Sequence, residues 1–363
     1  MKKVFSAYYP PTQEELQLLW KSAVFALDSN VLLNLYRYSQ ATSNELIGLL
    51  RFVGGRLWIP HQVGLEYHRN RLSVIEHQMV ACDELATLID KNIKEIEQEF
   101  AVRFKEMRFS SKTLRLIRNQ FETVKKNLAF RKKKCESLLR NDTVLQSLTD
   151  LFSGKVGDPY PDDKLEAIYA DADKRFKSGR PPGFEDADKK NNRKYGDVVL
   201  WKQLIDKATN GELPIIFVTD DRKSDWWMLC QAAPVLPHPE LVQEMSTVCH
   251  MSFFMYDPLG FMESAGRYIG WQVKKEAVQE LKMPIPRPSL LGSISTQPTL
   301  ASFSQPPNAL QFLVPPVPDS QVSMPSWLAG AMTPEGRQAA GDRLPDGSSS
   351  GTFEDTDLDN AKG

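Results

Sequence analysis

The chain has 363 residues, long for one domain, and its 45 Lys and Arg nearly balance 46 Asp and Glu, for a formal charge of −1. Four cysteines, Cys82, Cys135, Cys230 and Cys249, stand far apart with no C-x-x-C pair, which argues against a zinc ribbon or disulfide scaffold and fits a reducing cytosol. MKKVFSAYYPP lacks the apolar run of a signal peptide, and no window approaches the roughly 20 apolar residues that span a bilayer. A soluble, cytoplasmic protein with no membrane contact is expected.

Thr12 caps a predicted helix through Gln13–Trp20, with Glu14 and Glu15 favourable in its first turn. The strand Val24–Leu27 follows, then an apolar helical run from Val31 to Tyr38 and a helix from Ser43 to Leu50 ending near Gly54-Gly55. RLWIP is a short strand closed by Pro60, and a helix begins near His61. Further along, a helix from Asp197 to Ala208 stops at Asn210-Gly211, a natural C-terminal signal. The strand Pro214–Thr219 comes next, then a helix containing Trp226, Trp227 and Leu229, a helix over HPELVQEMSTVC and a last strand, SFFMY. Strands alternating with helices indicate an α/β fold with a mostly parallel sheet.

Between Arg69 and about Leu151 the pattern changes. Leu85, Ile89, Ile93, Ile96, Phe100, Phe104 and Met107, and after FSSK Leu114, Ile117, Phe121, Val124 and Leu128, recur at spacings of three and four. Two antiparallel helices are the economical reading. Residues 91–140 hold 15 Lys or Arg against 6 Asp or Glu, densest at Arg131, Lys132, Lys133 and Lys134. A basic helical hairpin over 70–150 suggests a clamp on nucleic acid, or a surface for a homodimer or protein partner. The stretch from Gly154 to Asp197 reads as a loop-rich return to the core. From about 283 to 363 the composition is Pro-, Ser- and Gly-rich, a tail expected to be disordered because it cannot bury enough surface to offset its ordering entropy. Its islands LQFLV and SWLAGAM are candidate docking motifs.

Carboxylates distant in sequence stand where strands hand over to helices. Asp28 follows VFAL, Glu66 follows the second strand, Asp197 opens a helix, and Asp220 and Asp221 end the strongest β-run. Open parallel sheets place their sites beyond the strands' carboxyl ends, so these acids are expected to share one crevice. Like charges at such range need a cation, and hard divalent ions prefer carboxylate oxygen. A magnesium or manganese site is the expectation. Taken singly, Asp28 and Asp197 can be helix caps, Glu66 an ordinary helix residue facing Arg69, and Asp220, Asp221 and Asp225 turn residues. The joint pattern favours shared metal binding.

FALDSNVLLNLYRY, IPHQVGLEYHRNR, PPGFEDADKK…RKYGDVVLWKQLIDKA and PIIFVTDDRKSDWW together resemble the PIN-like nuclease superfamily, in particular a bacterial branch with a long helical insertion. The resemblance covers roughly residues 5–270 and implies a three-layer α/β/α sandwich carrying the hairpin as an insertion. It implies a Mg2+- or Mn2+-dependent nuclease, foremost an endoribonuclease, with RNA preferred over DNA. By resemblance Asp28, Glu66, Asp197 and Asp221 are the catalytic and metal-binding acids, with Asp220 an alternative ligand and Asn30, Thr219 and Asp225 in supporting positions. Phosphodiester hydrolysis can use two ions ~4 Å apart held by shared carboxylates. Lys202, Arg222 and Lys223 flank the site as candidate phosphate contacts.

LDSN…TDD also partly resembles haloacid-dehalogenase phosphatases. That chemistry needs a general-acid aspartate where Asn30 stands, so a phosphatase is disfavoured. A catalytically inactive module that binds nucleic acid or protein is the main alternative.

Overall fold

A computed structural model describes residues 1–103 and 111–283. The turn expected between the two arm helices, and the tail with its docking islands, lie outside the described residues. At the N-terminus α1 (Gln13–Ser22) opens with a capping box: Thr12 accepts from the Glu15 amide at 3.2 Å while the Glu15 carboxylate accepts from the Thr12 amide at 2.7 Å. β1 (Val24–Leu27), α2 (Ser29–Asn34), α3 (Gln40–Val53) and β2 (Leu57–Trp58) follow. The arm is α4 (His61–Arg103) and α5 (Ser111–Arg140), succeeded by α6 (Thr143–Phe152) and α7 (Asp162–Lys177). The chain returns through α8 (Gly196–Gly211), β3 (Ile215–Val218), β4 (Trp227–Cys230), β5 (Ala233–Pro237), α9 (Pro239–Cys249), β6 (Phe253–Tyr256), α10 (Pro258–Ile269) and α11 (Lys275–Lys282).

The central sheet has the order β2-β1-β3-β6 and every pairing is parallel. β1 and β3 are buried at every position, as strands covered on both faces must be. Side chains alternate faces along a strand, and the aromatic packing shows what covers each. Phe25, beside Ile216 and Phe254 in register, packs on Trp20 of α1 and Phe261 of α10. Phe253 points to the other face, where Trp201 of α8 meets it edge-on with centroids 5.1 Å apart. Helices thus lie on both faces, the α/β/α sandwich. Among the described residues no helix is long and apolar enough to cross a membrane.

Three expectations need correction. The segment with Trp227 and Leu229 is not a helix: β4 and β5 form an antiparallel hairpin turning at Gln231 and Ala232, both at positive φ. A four-residue apolar run has no period by which to choose, and the packing of Trp226 against Phe217 and Trp201 decides it. The return stretch is not mainly loop, because Asp162–Lys177 is a helix with Asp162 and Asp163 in its first turn and Lys174, Arg175 and Lys177 in its last. Those charges complement the helix dipole. α6 is likewise a separate element, capped by Asp142, whose carboxylate accepts from the Leu145 amide.

Candidate active site

Register builds the site. Leu27 pairs with Val218, so the next residues, Asp28 and Thr219, stand side by side past the carboxyl ends of β1 and β3. The Asp28 amide donates to the Val218 carbonyl at 2.9 Å. Its Oδ2 accepts from Thr219 Oγ1 and from Asn30 Nδ2, both at 2.6 Å. Its Oδ1 accepts from the Ser29 amide, also at 2.6 Å, capping α2. Capping and site placement are therefore one arrangement in Asp28.

Ser29 also places the second acid. Its hydroxyl lies 3.3 Å from Asp28 Oδ1 and 3.1 Å from Glu66 Oε2, while Gln62 one turn earlier on α4 donates to Glu66 Oε1 at 2.6 Å. α8 begins against this carboxylate. A Cβ on Gly196 would fall 2.7 Å from Glu66 Oε1, so glycine lets the helix bearing Asp197 approach.

Asp221 is set by its own turn, its amide donating to Thr219 Oγ1 at 3.0 Å. Lys223 Nζ then lies 3.2 Å from Asp221 Oδ2, 3.5 Å from Asp197 Oδ2 and 2.9 Å from Asp186 Oδ1. Asp186 is a fifth acid of the crevice that sequence reasoning missed. It was visible within GFEDADKK, but nothing there told it from Glu185 or Asp188. Asp220 turns the other way: its Oδ2 accepts from Asn34 Nδ2 at 2.9 Å and its amide donates to Asn30 Oδ1. Of the neighbouring pair, Asp221 faces the crevice.

Burial pushes the Asp28 carboxyl up to about 7; the Thr219 hydrogen bond opposes this, and the charges of Glu66 and Asp221 add to it. Burial likewise pushes Asp197 up to about 8, against the pull of Lys223 and with Asp186, Asp221 and Glu66 adding. For the Lys223 ammonium burial is unfavourable, but Asp197 and Asp221 outweigh it and hold its pKa well above that of an ordinary lysine. The crevice is starved of positive charge. Oδ2 of Asp197 is buried and takes no hydrogen bond, and every converging acid offers hard oxygen. That donor set fits a divalent cation of the magnesium class. Among the described residues no group of three or more His, Cys, Asp or Glu side chains is placed to hold a metal ion; three of these acids close on the Lys223 ammonium instead.

Other expected site residues lie elsewhere. Asp225 is fully buried, and its Oδ2 accepts the Gly183 and Glu185 amides at 2.9 and 3.2 Å. It anchors the loop that presents Asp186. Lys202 pairs with Asp171 at 3.1 Å and approaches Glu244 at 3.9 Å, away from the acids. Arg222 lines a small hollow with Tyr38, Asp220 and Asp257. Lys223 faces the carboxylates themselves. In the basic run, Arg131 donates to the Arg37 carbonyl and to Gln78 Oε1, Lys132 pairs with Asp83 at 2.7 Å, and Lys134 donates to Gln40 Oε1 at 2.6 Å. Only Lys133 of the four is exposed; Arg131 and Lys134 line a cleft of about 640 Å3 against α3 and α6.

The acidic crevice thus lies beyond the central strands of a parallel sheet that helices cover on both faces. The family model of the PIN like domain matches residues 24–241, and the chain belongs to that family. No curated protein and no solved structure matches it.

Proposed function

We propose that the protein is a Mg2+- or Mn2+-dependent nuclease that hydrolyses phosphodiester bonds in nucleic acid, RNA in preference to DNA. The observation that carries this reading is the meeting of Asp28, Glu66, Asp197 and Asp221 in one crevice, from four separate segments of a PIN-like domain. Asp28, Glu66, Asp197 and Asp221 would hold the cation. Bound there, a divalent cation supplies charge neutralisation for the scissile phosphate and lowers the pKa of a coordinated water. Thr219 and Asn30 fix the orientation of Asp28 through its Oδ2, and Ser29 and Gln62 fix Glu66. Rigid placement of ligands by such outer partners is worth about 10–100-fold in metal affinity or activity. No paired Ser–His or Cys–His nucleophile is required.

The test is cleavage of labelled RNA and DNA with added manganese, beside Asp28→Asn and Asp197→Asn. Each substitution removes a ligand charge while keeping shape, and each is expected to abolish turnover. Undiminished cleavage in EDTA, or in both variants, would sink the metal-dependent mechanism. Binding of nucleic acid or protein without cleavage would assign the chain to the non-catalytic alternative.

A further inference from the structure

The crevice has two halves held by different chemistry. In one, a neutral hydroxyl, that of Ser29, joins Asp28 to Glu66. In the other, three carboxylates surround one ammonium: Lys223 Nζ stands 2.9 Å from Asp186 Oδ1, 3.2 Å from Asp221 Oδ2 and 3.5 Å from Asp197 Oδ2. An ordinary surface lysine pairs with one acid to little effect. Lys223 is different in two respects. Its side chain is 22% exposed, and Asp186 beneath it 8%. It is also tethered, its own amide donating to Asp221 Oδ1 at 3.2 Å. Asp186 is further pinned by Lys189 at 2.5 Å, and Asp225 holds the loop carrying it through the Gly183 and Glu185 amides. The pocket around Lys223 is thus assembled from three segments.

We propose that Lys223 is a resident cation standing in for a second metal ion: the crevice takes one divalent cation, at its Asp28–Glu66 half, while the ammonium neutralises the Asp186–Asp197–Asp221 half. This rests on the metal-dependent reading above and narrows its ligand set: Asp28 and Glu66 hold the ion, while Asp197 and Asp221 face the ammonium. An ammonium brings three hydrogen-bond donors and repels a divalent ion at contact range. Being covalently attached, it stays at any metal concentration, so the half it serves is neutralised before substrate arrives. Lys223 is then a positioning residue for the carboxylates.

Counting bound manganese on the full chain tests this, by electron paramagnetic resonance of the free ion together with titration calorimetry. Wild type and Lys223→Arg should bind one ion tightly, and Lys223→Met should bind two, with circular dichroism checking that each variant is folded. One ion in Lys223→Met, or two in wild type with affinities within tenfold of each other, overturns the proposal. The wild-type count decides the matter even where Lys223→Met does not fold. The two readings fail separately: a chain that cleaves RNA with two tight ions remains a metal-dependent nuclease without a resident cation, whereas one that binds no manganese loses both.

Discussion

Asp197 illustrates how burial stores a pH response in one side chain. Without a cation, Asp28 sits near 7 and Asp197 near 8, both raised first by burial, against about 3.9 for an unfolded aspartate. The folded protein then binds more protons than the unfolded chain between those limits, so stability present at low pH is lost as pH rises from about 4 to 8. In EDTA the protein should melt at a higher temperature at pH 5.5 than at pH 8. Asp197→Asn should flatten that slope and abolish turnover, because it removes a charge whose Oδ2 takes no hydrogen bond. Thermal melts across pH check the sign, and a rising midpoint in EDTA would contradict it. Gly196 gives a steric counterpart. With a Cβ due 2.7 Å from Glu66 Oε1, Gly196→Ala should displace that carboxylate and cost about 1–3 kcal/mol as local overpacking, read by denaturant unfolding together with a fall in cleavage.

At the scale of elements the hairpin is the distinctive addition. α4 begins inside the domain at His61 and runs 43 residues, so one helix both presents Glu66 and projects the arm. Ion pairs lace the arm: Arg118 to Glu97, Lys125 to Asp90 at 2.7 Å, and Lys132 to Asp83 at 2.7 Å. Part of the basic excess read from residues 91–140 is therefore spent within the hairpin, where exposed pairs add little stability. Asp142 fastens the root. It caps α6 and accepts from Tyr36 at 2.8 Å and Arg71 at 2.9 Å. Losing the cap alone costs about 0.5–2 kcal/mol, and the unpaired Arg71 guanidinium about 1–3 kcal/mol more, while Tyr36 keeps Tyr67 as a partner at 2.7 Å. Asp142→Ala should lower the unfolding midpoint accordingly. If the arm grips RNA, as the nuclease reading suggests, exposed Lys133 is the clean probe. Lys133→Gln should weaken binding across sequences and reduce the log–log salt slope by about 0.7 for a single strand. Arg131 is a poor probe, since its guanidinium holds the Arg37 carbonyl. Equal affinity and slope in both proteins would retire the clamp and leave dimer or partner docking for the arm.

Over the whole molecule, α7, α8 and α9 are tied by one buried charge network. Glu244 of α9 accepts from Arg175 of α7 at 2.9 and 2.7 Å and from Trp201 of α8 at 3.0 Å. Burial opposes ionisation of Glu244, but the Arg175 hydrogen bonds and charge outweigh it and pull its pKa below the usual glutamate value. Removing one partner of such a pair costs about 3–5 kcal/mol because the other charge is left uncompensated. Glu244→Ala is expected to destabilise by that order in urea unfolding, and a change under 1 kcal/mol would show the network to be dispensable. Little of this was legible in the chain, since no local pattern links Arg175 with Glu244. What the sequence by itself determined was local or periodic: the apolar strands VFAL and IIFV, the capped helices, the three-and-four spacing of the arm, and acids at strand ends, which a parallel sheet must gather. Tertiary structure decided whatever depended on competition between neighbours. Asp221 rather than Asp220 faces the crevice because Asn34 and Asn30 hold Asp220 away. Trp227 enters a strand because the packing of Trp226 on Phe217 and Trp201 decides what a four-residue run without a period cannot. Asp186 joins the acids, and Lys223 turns inward among them, because a buried carboxylate accepts whatever cation the folded chain brings within reach, and sequence distance says nothing about which one that is.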